Sequence, residues 1–219
     1  MQPHPIVLAG TLGVGLLVSG SPPDRSLAQA PGATAARAAV PFAPGERSAY
    51  QVRLAGIPVG RGVLEVLGIE TVGGYPTYRT RLHVQGGIPL ARVDTRLESW
   101  IDVKGLFSRR YEEDKQEIRF RRQQIYDFYP ESASYRIRGS GEVGRLASRQ
   151  PLDDVSFLFY ARTLPLRPGD TYTLPRYFKE DGNPVVIRVL RRETITVPAG
   201  TFETIVVQPI IRTDGLFGQ

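Results

Sequence analysis

The sequence predicts a mainly β protein, an antiparallel meander forming a curved open sheet, partial barrel or sandwich, with one short helix near residues 153–163. Three observations carry that prediction. Apolar side chains alternate with polar ones over short runs, Gly- and Pro-containing turn signals separate those runs, and a single stretch switches to a helical period.

The alternation begins in Tyr50-Gln51-Val52-Arg53-Leu54, whose apolar side chains share one face of a strand. Gly56-Ile57-Pro58-Val59-Gly60 reads as the turn that follows, because Gly accepts positive φ and Pro fixes its own. The same period returns at 78–85, 93–103, 118–121, 135–138 and 185–189, and a last strand runs through 202–212. Gly73-Gly74, Lys104-Gly105, Gly139-Ser140-Gly141 and Ala199-Gly200 punctuate these runs. Asp153 to Arg162 breaks the pattern: Asp153 suits a helix N-cap, and Val155, Leu158, Phe159 and Arg162 follow at helical spacing. Apolar on most sides, that helix is expected to be largely buried and to plug the open end of the sheet.

At the N-terminus, Ile6 to Val18 is an uncharged apolar run of the length of a signal-peptide core, too short to cross a bilayer as a helix. Ala28-Gln29-Ala30 and Ala33-Thr34-Ala35 supply small-residue cleavage sites. The expected organisation is therefore a signal peptide over 1–30, a flexible Ala- and Pro-rich spacer over 31–44 and a β-rich domain over 45–219, exported to the periplasm or cell envelope. The absence of Cys excludes thiol catalysis, disulfides and a lipoprotein cysteine. The net charge of +6 comes from arginines that alternate with apolar residues, and no recognition motif accompanies them, so no nucleic-acid partner is expected. Membrane association is expected only through an uncleaved leader or at the periphery.

Candidates for chemistry are few. His83, the only histidine beyond the leader, shares a face with Arg79, Arg81 and Gln85, opposite Tyr78, Thr80, Leu82 and Val84, which is the solvent side if the apolar set is buried. With no second histidine beside it, neither a metal site nor a cofactor is expected. Glu112-Glu113-Asp114 would point to alternate faces of a strand, and Asp153-Asp154 suit a helix N-terminus. No nucleophile elbow, phosphate loop or dinucleotide fingerprint occurs, so no catalytic residue is assigned. The basic run Arg109, Arg110, Lys115, Arg119, Arg121, Arg122 reads as a solvated strand face. Trp100 falls with Asp94, Arg96, Glu98 and Asp102 on the polar face, where it stacks within the sheet or anchors a ligand. Trp100 with Arg96, and Phe157 and Tyr160 on the helix, are the candidate contacts for a ligand or partner. The leading expectation is a non-catalytic envelope protein with a hydrophobic or lipid-like ligand in a groove of the sheet. A structural or adaptor role in an envelope complex is the alternative, and hydrolysis of envelope polymers a third.

Several spaced phrases resemble the bacterial exported proteins grouped as domain of unknown function 3108. They are Phe42 with Gly45-Glu46 and Tyr50-Gln51-Val52; Gly56 to Gly60; Leu97 to Asp102 with Gly105-Leu106 and Tyr111-Glu112; Asp153 to Ser156 with Arg162; Leu166 to Gly169; and Val197 to Phe202 before Pro209. The resemblance implies a secreted or periplasmic β-rich domain without established enzymatic residues. It also implies further strands after the turn signal Thr213-Asp214-Gly215, so an incomplete sheet with Leu216 and Phe217 poorly packed is expected.

Overall fold

The structure, a computed structural model, describes residues 40–54, 57–88, 91–117 and 120–210 together with two short strands, β1 (Ile6–Leu8) and β2 (Leu16–Gly20). The expected cleavage sites, residues 31–39 of the expected spacer, and Leu216 and Phe217 lie outside the described residues.

The large sheet is an antiparallel meander in which each strand pairs with its neighbour in sequence. Its strands are β3 (Arg47–Leu54), β4 (Ile57–Val72), β5 (Tyr75–Ile88), β6 (Ala91–Asp102), β7 (Ser108–Glu117), β8 (Phe120–Tyr129), β9 (Ser134–Ile137) and β10 (Val143–Arg145), with β2 added beside β3. A smaller sheet has the order β1-β13-β12-β11, from β11 (Thr171–Leu174), β12 (Val185–Val197) and β13 (Gly200–Ile210). The large sheet is open, as the alternation predicts. Between the two sheets lies α1 (Asp154–Ala161), whose Val155, Phe157, Leu158 and Phe159 join Leu82, Leu97, Ile101 and Tyr111 of the large sheet and Val185, Ile187 and Val207 of the small one in a single core. The side chains of both inner faces meet there, so the apolar set that alternation pointed inward is consumed by packing.

The sequence reading needs correction at four places. Gly60 is not a turn residue: it lies within β4 opposite Gly86, where an added Cβ would stand 2.3 Å from the Gln85 carbonyl oxygen. A side chain is excluded there by the neighbouring backbone, not by φ. Residues 118–121 form no separate strand: Phe120 and Arg121 open β8, and 118–119 lie outside the described residues. β7 and β8 escaped the alternation test because their inward positions are polar as well as apolar: Glu113 and Lys115 follow Tyr111 on β7, and Arg122 and Gln124 precede Tyr126 on β8. Val40 to Pro44, assigned to the spacer, belong to the packed unit, with the Phe42 ring edge-on to Tyr78 at 5.3 Å and to Phe159 at 5.0 Å. The basic run is not one solvated face either, although Arg121 is exposed. Arg109 is buried between Asp102 and Glu131 with its guanidinium 3.6 Å from the Tyr75 ring centre, while Lys115 and Arg122 both reach Glu113 on the inner face.

Candidate functional site

The start of α1 gathers the polar groups of the core. Asp153 is its N-cap, accepting hydrogen bonds at 2.8 Å from the backbone N–H groups of Val155 and Ser156 and at 2.6 Å from the Ser99 hydroxyl. Ser156 Oγ closes the reciprocal bond by accepting from the Asp153 N–H at 2.8 Å, and itself takes the Ser108 hydroxyl at 2.7 Å. Asp154 accepts from the phenols of Tyr111 at 3.0 Å and Tyr177 at 3.2 Å. One step further along the inner face, Glu113 holds Lys115 at 3.0 Å and Arg122 at 2.9 Å.

Burial sets the electrostatics. It pushes the Asp153 carboxyl up to about 6, against the lowering effect of the bonds from Ser99 and the helix amides. Burial raises Asp154 as well, opposed by the Lys115 charge and by its two tyrosine donors. The phenols of Tyr111 and Tyr177 are raised by the same desolvation and stay protonated as donors. Carboxylates of raised pKa are what an acid–base mechanism requires, but access is missing here. Asp153, Asp154 and Glu113 are 0%, 2% and 4% exposed, and each is saturated by groups of the fold. The arrangement anchors a helix.

At its other end, Arg162 ties the helix to the N-terminal segment, donating to Glu46 at 2.6 and 3.1 Å and to the Pro41 carbonyl at 2.6 Å. The phrases quoted for the resemblance thus converge: Phe42, Glu46, Ser99, Tyr111, Asp153, Ser156 and Arg162 all serve to seat α1 on the sheet.

The outer face of the same strands carries charged side chains in a lattice. Arg79 bridges Glu70 at 2.9 Å and Glu98 at 2.8 Å, Arg81 meets Glu98 at 2.9 Å, and Arg110 meets Asp127 at 2.7 Å. Trp100 sits inside this lattice. Its indole donates to Glu70 at 2.9 Å and lies between the guanidinium groups of Arg79 and Arg110, 5.3 and 5.6 Å from the ring centre. The indole bond, with Arg79, holds the Glu70 carboxyl below its usual range.

Toward the β5–β6 connection the lattice gives way to two adjoining grooves that share His83. One, of about 410 Å³, lies over β3–β5 and is lined by Arg47, Ala49, Arg61, Val63, Glu65 and Gln85 among others. The other, of about 190 Å³, lies over β5–β7 between Asp94, Arg96, Asp114 and Gln116. His83 Nε2 stands 2.8 Å from Asp94 Oδ1, and Gln85 donates to Asp94 Oδ2 at 3.0 Å, which together lower the Asp94 carboxyl, Gln85 contributing most.

The four residues expected to contact a ligand are not brought together. Trp100 is on the outer face, as its register required, but only 5% exposed because Arg79 and Arg110 cover it. Phe157 is sealed in the core, and Tyr160, partly buried, lies under the Arg176 guanidinium at 4.3 Å. Arg96 alone reaches an accessible site, at the rim of the smaller groove 3.6 Å from Asp114. His83 faces outward with its predicted neighbours, Arg79, Arg81 and Gln85. Arg61 is a groove residue that the sequence does not single out, and Asp114 enters there only as one of three carboxylates on alternate faces of a strand; their register, read from the strand pairing, assigns both to the face of His83.

An open antiparallel sheet whose inner face is a filled core and whose outer face holds the accessible polar groups defines a β-sheet platform. The chain belongs to the family described as Protein of unknown function (DUF3108), whose model matches residues 49–219. Neither a curated protein nor a solved structure matches it.

Proposed function

We propose that the chain is an exported, non-catalytic binding protein of the cell envelope, a platform that meets its partner on the outer face of the large sheet. The observation that supports this most is the state of the inner face. The apolar residues that would line a lipid groove are packed against α1 and the small sheet, and the carboxylates that would serve a hydrolase are closed off from water. Recognition is left to the surface, where the grooves around His83 carry polar side chains of both charges. An internal hydrophobic ligand draws less support, since its walls are already in contact with each other.

Two measurements test the reading. A photo-crosslinking side chain placed at position 96, at the groove rim, should form adducts in intact envelopes, whereas one at position 145, on the far edge strand, should not; equal labelling at both, or none, overturns it. Extraction of protein purified from its own envelope should yield no enriched lipid, and a stoichiometric lipid would return the argument to the inner face. Export is checked by N-terminal sequencing, with the mature chain beginning between about residues 29 and 36, where the small-residue sites lie.

A further inference from the structure

A strand at the edge of a sheet presents backbone N–H and C=O groups without a ladder partner, so it is where a sheet can take on another chain. With β1 and β2 set aside, four strands end the two sheets: β10 with 3 residues, β11 with 4, β3 with 8 and β13 with 11. No described strand flanks the two short edges. The two long ones are covered, β3 by β2 and β13 by β1, and both covering strands lie ahead of the expected cleavage sites. Removal of the leader therefore uncovers both.

The two uncovered edges are not equal. β13 is covered only over Ile205 to Val207, and it carries Pro209, which has no N–H to offer. β3 is covered antiparallel over five consecutive residues, Ser48 to Val52. That stretch holds neither Pro nor a charged side chain, the usual guards of an edge, and its arginines, Arg47 and Arg53, stand outside it. β3 also borders the larger groove, which Ala49 and Tyr50 help to line, so a strand added there continues the outer face where recognition is proposed.

The seated strand indicates what fits. Leu16 and Val18 stand opposite Val52 and Tyr50, and Ser19 opposite Ala49. Tyr50 packs against the core, so an apolar residue opposite it extends the inner layer, while positions opposite Ala49 and Gln51 look to the outer face. A second copy is a poor occupant. Self-pairing centred on Tyr50, the middle of the covered stretch, sets Arg47 of each copy against Arg53 of the other, like charges directly opposite.

We propose that the processed chain binds its partner by strand addition at β3. An extended segment of another envelope protein, apolar at alternate positions, pairs antiparallel with Ser48 to Val52 in the place that β2 holds before the leader is removed. Strand addition deepens the platform reading and rests on it, and on removal of the leader.

A peptide of residues 14–22 is the probe. By fluorescence anisotropy it should bind the chain recovered from the envelope after processing, and bind at least about tenfold more weakly to the full chain with its leader in place, whose edge is occupied. Two further peptides, N-methylated on alternate residues in the two possible phases, should separate: the one that loses the N–H groups aimed at β3 weakens by about fivefold or more, and the other binds as the parent does. In intact envelopes a photo-crosslinking side chain at position 51 should form an adduct with another protein, and the peptide should suppress it. No binding to the processed chain, binding as tight to the full chain, or equal binding by the two methylated peptides overturns the proposal. An adduct of twice the chain's mass overturns the choice of partner in favour of a second copy, and Met1 recovered intact from the envelope leaves the edge covered and overturns it as well. Adducts at position 96 with none at 51 would sink strand addition and leave the platform standing; none at either position would sink the platform itself.

Discussion

The two faces of the large sheet are built from alternate residues of the same strands, yet they treat charge in opposite ways. On the inner face a few carboxylates are fully buried, and each is fixed by hydroxyls, amides or cations from different parts of the chain: Asp153 by Ser99 and the helix amides, Asp154 by Tyr111 and Tyr177, Glu113 by Lys115 and Arg122. On the outer face carboxylates and arginines pair with one another across neighbouring strands, several of them open to water, as Arg47 with Glu65 and Arg79 with Glu70. The difference teaches where single substitutions should matter. A buried group that loses its partner carries the whole desolvation cost, whereas an exposed pair that is broken is taken over by solvent.

The largest effect should come from the anchoring of α1. Phe159, almost fully buried against Phe42, should cost about 3–5 kcal/mol of unfolding free energy as Phe159→Ala, read by urea denaturation. Asp153→Ala should follow at roughly 2 kcal/mol, because two helix amides and the Ser99 hydroxyl lose their acceptor. A loss under about 0.5 kcal/mol would erase the distinction between the faces.

Acid separates the faces more finely. Asp153 has its pKa raised by folding, so the folded chain holds that proton more tightly than the unfolded chain does. Its contribution is fully present below the unfolded value of 3.8 and is lost as pH rises through about 6. Asp154 is displaced in the same direction. Lowering the pH from 7 to 5 should therefore raise stability, with a gain on the order of 1–2 kcal/mol from Asp153. Asp153→Asn, which keeps the cap and cannot ionise, should flatten much of that limb while leaving stability at pH 7 unchanged or higher. Glu70, Asp94, Asp127 and Glu131 are displaced downward, so what they contribute is lost only as pH falls below the ordinary carboxylate range. Denaturation midpoints across pH 3–8 should give a maximum on the acid side of neutrality; a monotonic decline from pH 7 downward would contradict the inner-face account.

The smallest effect belongs to the outer lattice. Arg47, whose side chain is 60% exposed beside Glu65, should cost less than about 0.5 kcal/mol as Arg47→Ala. A cost above about 1 kcal/mol would mean that the lattice acts as a unit rather than as separate pairs.

The legibility of the sequence followed the same division. Where apolar and polar residues alternate cleanly, as at Tyr78 to Gln85, register and the facing of His83 could be read directly. The helix was legible because Asp153 and Ser156 bring their own cap. β7 and β8 are not, since Glu113, Lys115, Arg122 and Gln124 point inward and erase the alternation, and they find their partners in one another and in Tyr126 only once the two strands pair. Trp100 was assigned to the correct face, but its covering by Arg79 and Arg110 comes from neighbours across the sheet that only strand pairing supplies. The grooves are the least legible feature. Their lining comes from β3 to β7, and only strand pairing brings those residues side by side, a property of register and not of residue types.

The β12–β13 pair carries a consequence for motion. Val185, Ile187 and Val189 are buried, but a bulge between Val189 and Arg191 interrupts the register, and from Leu190 to the tip at Val197 no β12 side chain is buried. Past Arg192, whose β13 partner Ile205 still pairs with β1, the chain is a ribbon of two strands from Glu193 to the tip, roughly 17 Å long at 3.3 Å per residue, and a two-stranded ribbon alone is marginal in water. The hairpin should therefore open as a unit while the body stays closed. Amide deuteration should reach Glu193 to Phe202 long before Val185 to Val189, with the step in protection at the bulge rather than a gradual decline along the strand.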